Sequence, residues 1–491
     1  MLFSSIVFLF FFLPIVLTLY LLPSQRWRSF LFLVASFVFY VWSAGGYILA
    51  LLVSILFNYL LGLWIGRLGS PELTGGDGIK AKKAVLVFGL ILNVLFLSVF
   101  KYANFLGGNL NDFLGWFSLP QVHISRIYAP LGISFFTFHA ISYLVDIYRG
   151  EGPVQKNPGA LAIYFAAFPK VLAGPIVQYR QAYCQLGRRE ITAAGLTYGI
   201  ERFIAGFAKK VLLANPLAGV ADAAFGLQPE NLDPFSAWAG ILCFTLQIYF
   251  DFSGYSDMAI GLGRMFGFEF PENFDFPYIS QSVREFWRRW HISLSLWFKD
   301  YLYIPLGGNR GPRSRTCFNL VAVFLVCGLW HGANWTFIIW GAWYGLFLLV
   351  ERTWFGKLIE LAPRVVRHIY LLAVVMIGWV FFRAESMTFA IAYLKSMLGI
   401  HLGSAHATEL FSVHLNVETL ILFVFAAFFC MPVSLLVKRL CANAPVEFAT
   451  SYGYRATVFY VSYALFLSLV FFASVMALAG GTHKAFIYFK F

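Results

Sequence analysis

Long apolar runs recur along the whole chain, and only short polar segments separate them. A hydrocarbon core about 30 Å thick is crossed by about 20 apolar residues of α-helix. The pattern therefore predicts an all-α polytopic membrane protein, with roughly a dozen transmembrane or re-entrant helices around a central cavity. A first span precedes Arg26, and a turn at 43–46 separates the second span from the third. The clearest later runs are 30–42, 84–100, 196–213, 235–250, 369–382, 420–437 and 456–476.

Two segments depart from this pattern. Residues 131–147 include Ser134, His139 and Asp146 and contain no uninterrupted apolar run, which favours a buried or re-entrant element over a plain span. We interpret His139 as a hydrogen-bonded core histidine, with a catalytic role as the less favoured alternative. The prolines and glycine of 169–175 break the next apolar run, and a break of this kind often lines a site.

Composition changes the picture mainly through charge. The 491 residues are 60% hydrophobic and have a formal net charge of +13. Because the basic residues lie in short loops between apolar runs, positive-inside topology explains them better than nucleic-acid binding. The loops at 22–29, 67–83 and 305–316 are predicted to be cytoplasmic, with the amino terminus outside and its first span retained. Six cysteines without a CxxC pair predict neither a disulfide framework nor a metal site.

One polar segment, 284–295, surrounds the first of two histidines placed among apolar runs. Read as one helix, it has an apolar stripe of tryptophans and a second, cationic stripe. Glu285 and Arg289 are spaced to pair within the helix. The alternative is an interfacial helix whose arginines reach lipid headgroups. The cationic stripe consists of Arg284, Arg288, His291 and Ser295.

Two acids lie at the edge of an earlier apolar run, in residues 249–258. Asp251 and Asp257 have the chemistry to pair with arginines, bind a cation or orient a histidine. We expect pairing with the arginines of 284–289, so that Arg288 holds the His291 helix against one of the two acids. Asp251, Ser253 and Arg288 are also candidate cavity or substrate-binding residues.

The second histidine, His331, is predicted to lie deep in the membrane. The apolar run from Cys317 reaches it after about 14 residues, or roughly 20 Å of helix. A single helix from Cys317 to Val350 would be roughly 50 Å long, too long for one span. A hairpin with its break at 331–334 is therefore expected. Such a break needs burial in protein or a wet cavity, so His331 is expected to line a cavity.

Two buried histidines favour proton-transfer chemistry. Burial favours the neutral imidazole, which can take a proton from an attacking hydroxyl. We expect His331 to be this general base and His291 to shape the cavity or bind the acceptor. Asn334 has the chemistry to stabilise an oxyanion. In the loop at 305–315, Asn309 and Arg310 are candidates for holding a pyrophosphate.

These groups together indicate acyl transfer, although physical reasoning alone leaves other functions open. A transporter or flippase of an export complex is the alternative from a different class, because charges and broken helices in a membrane also suit a transport path. A purely structural scaffold is a third reading. The depth of His331 disfavours the scaffold, and the lack of an internal repeat counts against the transporter.

Six runs spread over most of the chain match a known family. On these runs the chain resembles the membrane-bound O-acyltransferase (MBOAT) family, most closely its bacterial members of alginate O-acetylation. The match is weaker over 395–491. By this resemblance, His331 corresponds to the histidine regarded as catalytic and His291 to the second characteristic position. The runs are FSSIVFLFFFLP, FPKVLAGPI, IYFDFSGYSDMAIGLGRMFGFEFPENF, EFWRRWHISLSLWFKDYLYIPLGGNRG, GLWHGANWTFIIWGAWYG and WVFFRAESM.

The resemblance implies an MBOAT fold in one transmembrane domain, 1–491, with a catalytic core at about 165–350. It implies an O-acetyltransferase of the bacterial inner membrane that binds no cofactor and takes an acetyl group from a cytoplasmic donor, acetyl-CoA. The acceptor it implies is an exopolysaccharide, alginate, with peptidoglycan, cellulose or another polysaccharide as alternatives. The implied partners are membrane lipid, a periplasmic acetyltransferase and polysaccharide biosynthesis and export proteins, without nucleic acid.

Overall fold

The computed structural model describes residues 1–22, 25–69, 76–123, 125–187, 189–400, 414–433, 454–481 and 486–487. These residues form helices joined by turns and loops, and the described part of the chain contains no β-strand. One isolated antiparallel bridge joins Phe274 to Trp290. The all-α prediction is confirmed.

The helices are numbered α1 to α17 in chain order, and three π-helical segments of the described chain adjoin them. A π-helix, Phe8–Phe12, runs directly into α1, and two more π-helical turns, Lys209–Ala214 and Lys299–Tyr303, follow α8 and α12. Two further helices, Val417–Phe429 and Tyr454–Ala479, lie nearest the carboxyl terminus. The numbered helices are α1 Leu13–Leu21, α2 Gln25–Ala44, α3 Ile48–Leu68, α4 Gly76–Trp116, α5 Ile133–Arg149, α6 Pro158–Ala166, α7 Tyr179–Ala182, α8 Ala193–Ala208, α9 Asn215–Phe225, α10 Pro234–Met265, α11 Val283–Arg289, α12 Ile292–Phe298, α13 Arg313–His331, α14 Trp335–Val350, α15 Trp354–Leu361, α16 Arg364–Arg383 and α17 Met387–Met397.

Seven helical stretches of the described residues are long and apolar enough to cross a membrane. Three shorter apolar helices, Phe8–Leu21, Trp335–Val350 and Val417–Phe429, add to them. The polytopic prediction is therefore confirmed. The predicted run at 420–437 begins in one of these helices, and its residues 434–437 lie outside the described part. The seven stretches are Trp27–Leu68, Asp77–Trp116, Ala193–Phe225, Pro234–Met265, Arg313–His331, Arg364–Arg383 and Tyr460–Ala479.

The turn predicted at 43–46 and the buried element predicted at 131–147 are both present. Gly45, with a φ of +57°, ends α2 and starts the turn into α3. The buried element is α5, whose residues from Phe135 to Phe138 and from Ser142 to Ile147 are almost inaccessible. His139 is a core histidine as expected, because its Nε2 lies 3.0 Å from the buried ammonium of Lys170.

The centre of the fold is α10, in which every residue from Cys243 to Gly263 is buried. Close backbone contact with α8 explains its glycines. A Cβ on Gly206 would lie 2.5 Å from the carbonyl oxygen of Gly254, and one on Gly261 would lie 2.5 Å from that of Gly199. Small residues at such a crossing let two helices of a membrane protein approach closely, so that van der Waals contact stabilises the pair.

The two acids of α10 pair with α8 and the π-helix after it, so the predicted pairing with the arginines of 284–289 is wrong. Asp251 forms a buried ion pair with Lys210. Asp257 lies 2.7 Å from Arg202 and 2.6 Å from Lys209. The close crossing of α8 and α10 brings these cations nearer to the acids than the arginines of α11.

The predicted hairpin at the second histidine is confirmed. Helix α13 ends at His331 and α14 begins at Trp335. The two helices are packed so closely that a Cβ on Gly328 would lie 2.3 Å from the carbonyl oxygen of Phe337. The break itself is stabilised by Asn334, which accepts a hydrogen bond from the backbone N–H of Thr336 at 3.1 Å.

Candidate active site

His331 is the last residue of α13 and is only 5% exposed. Three aromatic rings surround its imidazole. Its ring centroid lies 4.8 Å from that of Trp330, 4.8 Å from that of Trp340 and 5.2 Å from that of Phe382, each in an edge-on arrangement. This aromatic cage fixes the plane of the ring and limits its contact with water.

His291 lies between α11 and α12, at a break in the segment predicted to be one helix. That prediction is wrong because Trp290 is extended and His291 is left-handed, with φ of 46° and ψ of 55°. A non-glycine residue in this conformation costs on the order of 1–3 kcal/mol and needs support from its surroundings. The N–H of Ile292 donates to the carbonyl of Asn273 at 3.0 Å, which helps to supply that support.

The side chain of Asn273 also determines the tautomer of His291. Its Oδ1 accepts hydrogen bonds from the N–H of Ser293 at 3.2 Å and from the hydroxyl of Ser293 at 2.9 Å, which identifies that atom as the oxygen. The same oxygen lies 3.0 Å from Nδ1 of His291, so Nδ1 carries the proton and Nε2 has the lone pair. His291 is 1% exposed, so its side chain is enclosed by protein and does not face lipid headgroups.

The two histidines share a neighbour, Trp330. The ring centroid of Trp330 lies 6.3 Å from that of His291 and 4.8 Å from that of His331. On its other side the indole stacks on Phe138 at 5.1 Å, with the ring planes 8° apart. The two histidines therefore belong to one site.

A cavity of about 510 Å³, here called the basic cavity, extends towards this site. Its cationic lining includes Arg284 and Arg288 of α11, and its innermost lining on α13 is Cys327. Arg288 is exposed, whereas Arg289 beside it is bound to Glu285 at 3.0 Å, which confirms the predicted pair. The full set of cations in the lining is Arg284, Arg288, Lys299, Arg352 and Arg367.

Glu351 holds one wall of the basic cavity in place. Its carboxylate accepts hydrogen bonds from the N–H of Val283 at 2.6 Å and of Arg284 at 3.1 Å, at the amino-terminal end of α11. A negative charge there is favoured by the helix dipole. Burial nevertheless raises the pKa of Glu351 above its usual range, and the two backbone N–H groups oppose that rise. Glu351 thus fixes the position from which Arg284 and Arg288 project.

A second cavity, of about 310 Å³ and here called the histidine cavity, lies beyond the basic cavity along α13. Its walls include Trp330 and His331, together with Lys101 and Asn104 of α4 and the loop residues from Arg126 to Gly132. From Cys327 to Trp330 is three residues, or about 4.5 Å along a helix. The two cavities therefore approach the same turn of α13. The prediction that His331 lines a cavity is confirmed.

The other candidate residues from the sequence are scattered. Asn334 caps α14 and also donates to the carbonyl of Glu385 at 2.9 Å, so both polar ends of its side chain are engaged. Ser253 is buried within α10. Asn309 and Arg310 are exposed and line neither of the two cavities described above.

Two residues that hold the site were not found from the sequence. Asn273 lies in an irregular linker, where nothing in the pattern distinguishes it. Lys101 directly follows the predicted apolar run at 84–100. The structure places Lys101 within α4, which continues to Trp116. A cation enclosed by apolar helix is a functional candidate in a membrane protein, and that signal was available.

The arrangement suits a membrane enzyme that transfers a group between two substrates. Two cavities of different character approach the turn of α13 that presents a buried imidazole. A neutral imidazole in such a place can accept a proton from a hydroxyl. The class of protein defined by the fold and the site is therefore an integral membrane transferase.

The sequence model of the membrane-bound O-acyltransferase family, MBOAT, matches residues 157–393. A protein of Pseudomonas aeruginosa named "Probable alginate O-acetylase AlgI" is 41% identical over the full length of both chains. A peptidoglycan O-acetyltransferase of Helicobacter pylori is 35% identical over 82% of this chain and 80% of its own. A teichoic acid D-alanyltransferase of Streptococcus thermophilus is 30% identical over 46% of this chain and 58% of its own. The chain belongs to the MBOAT family and is an O-acyltransferase.

Proposed function

We propose that this protein is the membrane component of exopolysaccharide O-acetylation, with alginate as the polymer. In this proposal it lies in the bacterial inner membrane and takes an acetyl group from acetyl-CoA on the cytoplasmic side. The observation that carries the proposal is that a cavity rich in cations and the cavity lined by His331 approach the same turn of α13. Full-length similarity to a protein named for alginate O-acetylation supports the choice of polymer.

The basic cavity suits the donor. Coenzyme A carries phosphate groups, and Arg284 and Arg288 can bind phosphate through paired N–H donors. Under the positive-inside rule, the basic loop at 305–316 puts the first residues of α13 in the cytoplasm. The acetyl end of the donor would then extend along α13 towards Cys327, and the coenzyme would remain at the arginines.

The chemical step uses His331 as the general base. Its imidazole takes the proton from the acceptor hydroxyl, and the oxygen attacks the thioester carbonyl carbon. A C–O bond forms and the C–S bond breaks, so that the coenzyme thiolate leaves and takes the proton back from the imidazolium. His291, with its lone pair on Nε2, shapes the site or orients the acceptor. General base catalysis of this kind contributes about 10²–10⁴-fold in rate.

The histidine cavity suits the acceptor, since it includes His331 and lies beyond the basic cavity along α13. In the proposed pathway the acetyl group then reaches the polymer through a periplasmic acetyltransferase, in association with polysaccharide biosynthesis and export proteins. Peptidoglycan is the second candidate polymer, favoured by the 35% identity to the Helicobacter pylori enzyme. Acetyl ester content of purified alginate and of purified peptidoglycan, measured in the same cells with and without the gene, separates the two.

The test of the catalytic role compares His331→Gln and His331→Ala with wild type. Glutamine keeps size and hydrogen bonding but cannot accept the proton. Both variants are expected to insert normally and keep their stability in detergent, while the secreted polymer stays unacetylated. His123→Gln, at an exposed loop position, is the control and should acetylate normally. Substantial acetylation by folded His331→Gln would exclude the general-base role. Loss of polymer export, with acetylation of the remaining polymer intact, would favour a transporter.

A further inference from the structure

The end of α13 has a set of hydrogen bonds that the proposed reaction does not explain. The last four carbonyl groups of a helix have no partner within it. In α13, the carbonyl of Gly328 accepts from the N–H of Gly332 at 3.3 Å. The next three, which belong to Leu329, Trp330 and His331, accept from side chains of α4.

Two adjacent residues of α4 supply these donors. The hydroxyl of Tyr102 donates to the carbonyl of Leu329 at 2.8 Å. The ammonium of Lys101 donates to the carbonyl of Trp330 and, at 3.1 Å, to that of His331. A positive charge at a helix carboxyl terminus is also favoured by the helix dipole. The broken helix end that presents His331 is thus capped from a neighbouring helix.

The same face of α4 also contacts the start of α14. One and two turns beyond Lys101 are Phe105 and Asn109. The ring of Phe105 lies 5.8 Å from that of Trp335, and the Oδ1 of Asn109 accepts from the indole N–H of Trp335 at 2.9 Å. One stripe of α4 therefore holds both sides of the break, and His331 lies in between.

The hydrogen bonds of Lys101 argue against direct binding of the acceptor. An ammonium has three N–H donors. Lys101 has three acceptors around it, the carbonyls of Trp330 and His331 and, at 3.4 Å, the hydroxyl of Ser134. All three donors are engaged, although the residue lines the histidine cavity. Its action on a substrate would therefore be exerted through the helix end.

We propose that Lys101, assisted by Tyr102, is a positioning residue that holds His331 in register with the two substrates by capping the broken end of α13. The inference rests on the proposed function for its kinetic test, but the geometry can be tested separately. A misplacement of about 1 Å costs about 10²-fold in rate. The expected effect lies in kcat, because donor binding in the basic cavity does not involve α4.

The test uses full-length protein in lipid nanodiscs, with acetyl-CoA labelled in its acetyl group as the donor probe. Lys101→Met removes every donor at similar length, and Lys101→Arg keeps donors. Lys82→Met is the matched control, because Lys82 also lies on α4 and donates to a carbonyl, that of Tyr148 at 3.0 Å. We expect kcat of Lys101→Met to fall by about 10²-fold with KM for acetyl-CoA unchanged. Lys101→Arg should recover most of the loss, and Lys82→Met should keep wild-type kcat.

A second readout reports the position of His331 without any turnover. Diethyl pyrocarbonate modifies imidazoles, and mass spectrometry measures its rate at each histidine. Lys101→Met should change the rate at His331 and leave the rate at His123 as in wild type. If wild-type protein transfers no acetyl group, the proposed function fails, and this readout alone decides the role of Lys101. Wild-type kcat in Lys101→Met, or an unchanged modification rate at His331, would overturn the inference.

A milder variant covers the case in which Lys101→Met does not fold. Tyr102→Phe removes only the bond to the carbonyl of Leu329, and Tyr59→Phe is its control, since Tyr59 donates to the carbonyl of Lys156 at 2.8 Å. We expect Tyr102→Phe to lower kcat and Tyr59→Phe to leave it unchanged. Equal kcat in the two folded variants would argue against a cap that positions His331.

Discussion

Nδ1 of His291 donates a hydrogen bond of 3.0 Å to Oδ1 of Asn273. Asn273 lies 18 residues earlier in the chain, in the irregular linker after α10. The bond fixes both the ring orientation and the tautomer of His291. Because the oxygen also accepts from Ser293, the amide cannot turn over without losing three bonds. An irregular linker residue thereby controls a histidine that the sequence assigns to the site.

Replacing Asn273 by leucine should therefore disturb both folding and activity. Leucine leaves buried donors of His291 and Ser293 without an acceptor, which costs about 1–3 kcal/mol of folding free energy for an unsatisfied group. Turnover per folded molecule should fall by about 10²-fold as His291 loses its orientation. Thermal unfolding in detergent and acetyl transfer measure the two effects.

Ser256→Ala is the matched control for Asn273→Leu. It removes the bond of 3.2 Å that the amide nitrogen donates to the Ser256 hydroxyl, while the oxygen keeps its contacts. Turnover of this variant should stay close to wild type. Equal losses in both variants would mean that the amide acts only as packing.

The helical organisation of the chain could be predicted from the sequence because it depends on local patterns. The apolar runs predicted the membrane-spanning helices. The helix length from Cys317 to Val350 predicted the hairpin with His331 at its break. Both rest on the rise of a helix and the thickness of a bilayer. The buried character of α5 could also be predicted, because Ser134, His139 and Asp146 interrupt its apolar run.

The errors concern contacts between segments that are distant in the chain. The periodicity of residues 284–295 fits one helix. In the structure the helix is interrupted where Trp290 pairs with Phe274 and the N–H of Ile292 donates to the carbonyl of Asn273. The partner of Asp251 could not be chosen either, since Lys210 and the arginines of α11 have the same charge. The glycine crossing of α8 and α10 decides it, and a single sequence does not reveal which glycines face each other.

The buried pair of Asp251 and Lys210 predicts strong coupling between two substitutions. Removing one partner leaves an uncompensated charge, so Lys210→Met should lower the free energy of unfolding by about 3–5 kcal/mol. The double variant Lys210→Met/Asp251→Leu should lose less than the sum of the single losses, since it buries no lone charge. Denaturation in detergent measures each variant. Additive losses would show that the two side chains do not interact.

Membrane topology can be tested at two loops, the one before α13 and the one after α4. In a Cys184→Ser background, which removes the exposed native thiol among the described cysteines, Ser314→Cys should resist an impermeant thiol reagent added to intact cells. The reason is the excess of arginine in that loop. Gln121→Cys, exposed after α4, is expected outside and should react readily. Labelling of Ser314→Cys at the rate of Gln121→Cys would contradict the proposed cytoplasmic entry of the donor. Ser24 and Ser70, in the other two predicted cytoplasmic loops, lie outside the described residues.

Arg288 and Arg289 are adjacent in α11 but have different surroundings, which gives a matched pair of variants. Arg289 is bound to Glu285 and, at 2.8 Å, to Asp275. Arg288 lines the basic cavity and has no ion pair to an acid of the described chain at salt-bridge distance. Because Asp251 and Asp257 pair with other cations, Arg288 does not support the fold through them, and we propose that it binds the donor instead.

Arg288→Ala should therefore raise KM for acetyl-CoA at normal folded yield. Loss of a charged hydrogen bond to a phosphate removes about 1.5–3 kcal/mol of binding, or roughly 10- to 150-fold in affinity. Arg289→Ala should instead lower thermal stability and leave KM unchanged, because its guanidinium is engaged within the protein. Donor titration and thermal unfolding of both variants decide the question. A fall in folded yield with unchanged KM in Arg288→Ala would return Arg288 to a structural role and move the donor away from the basic cavity.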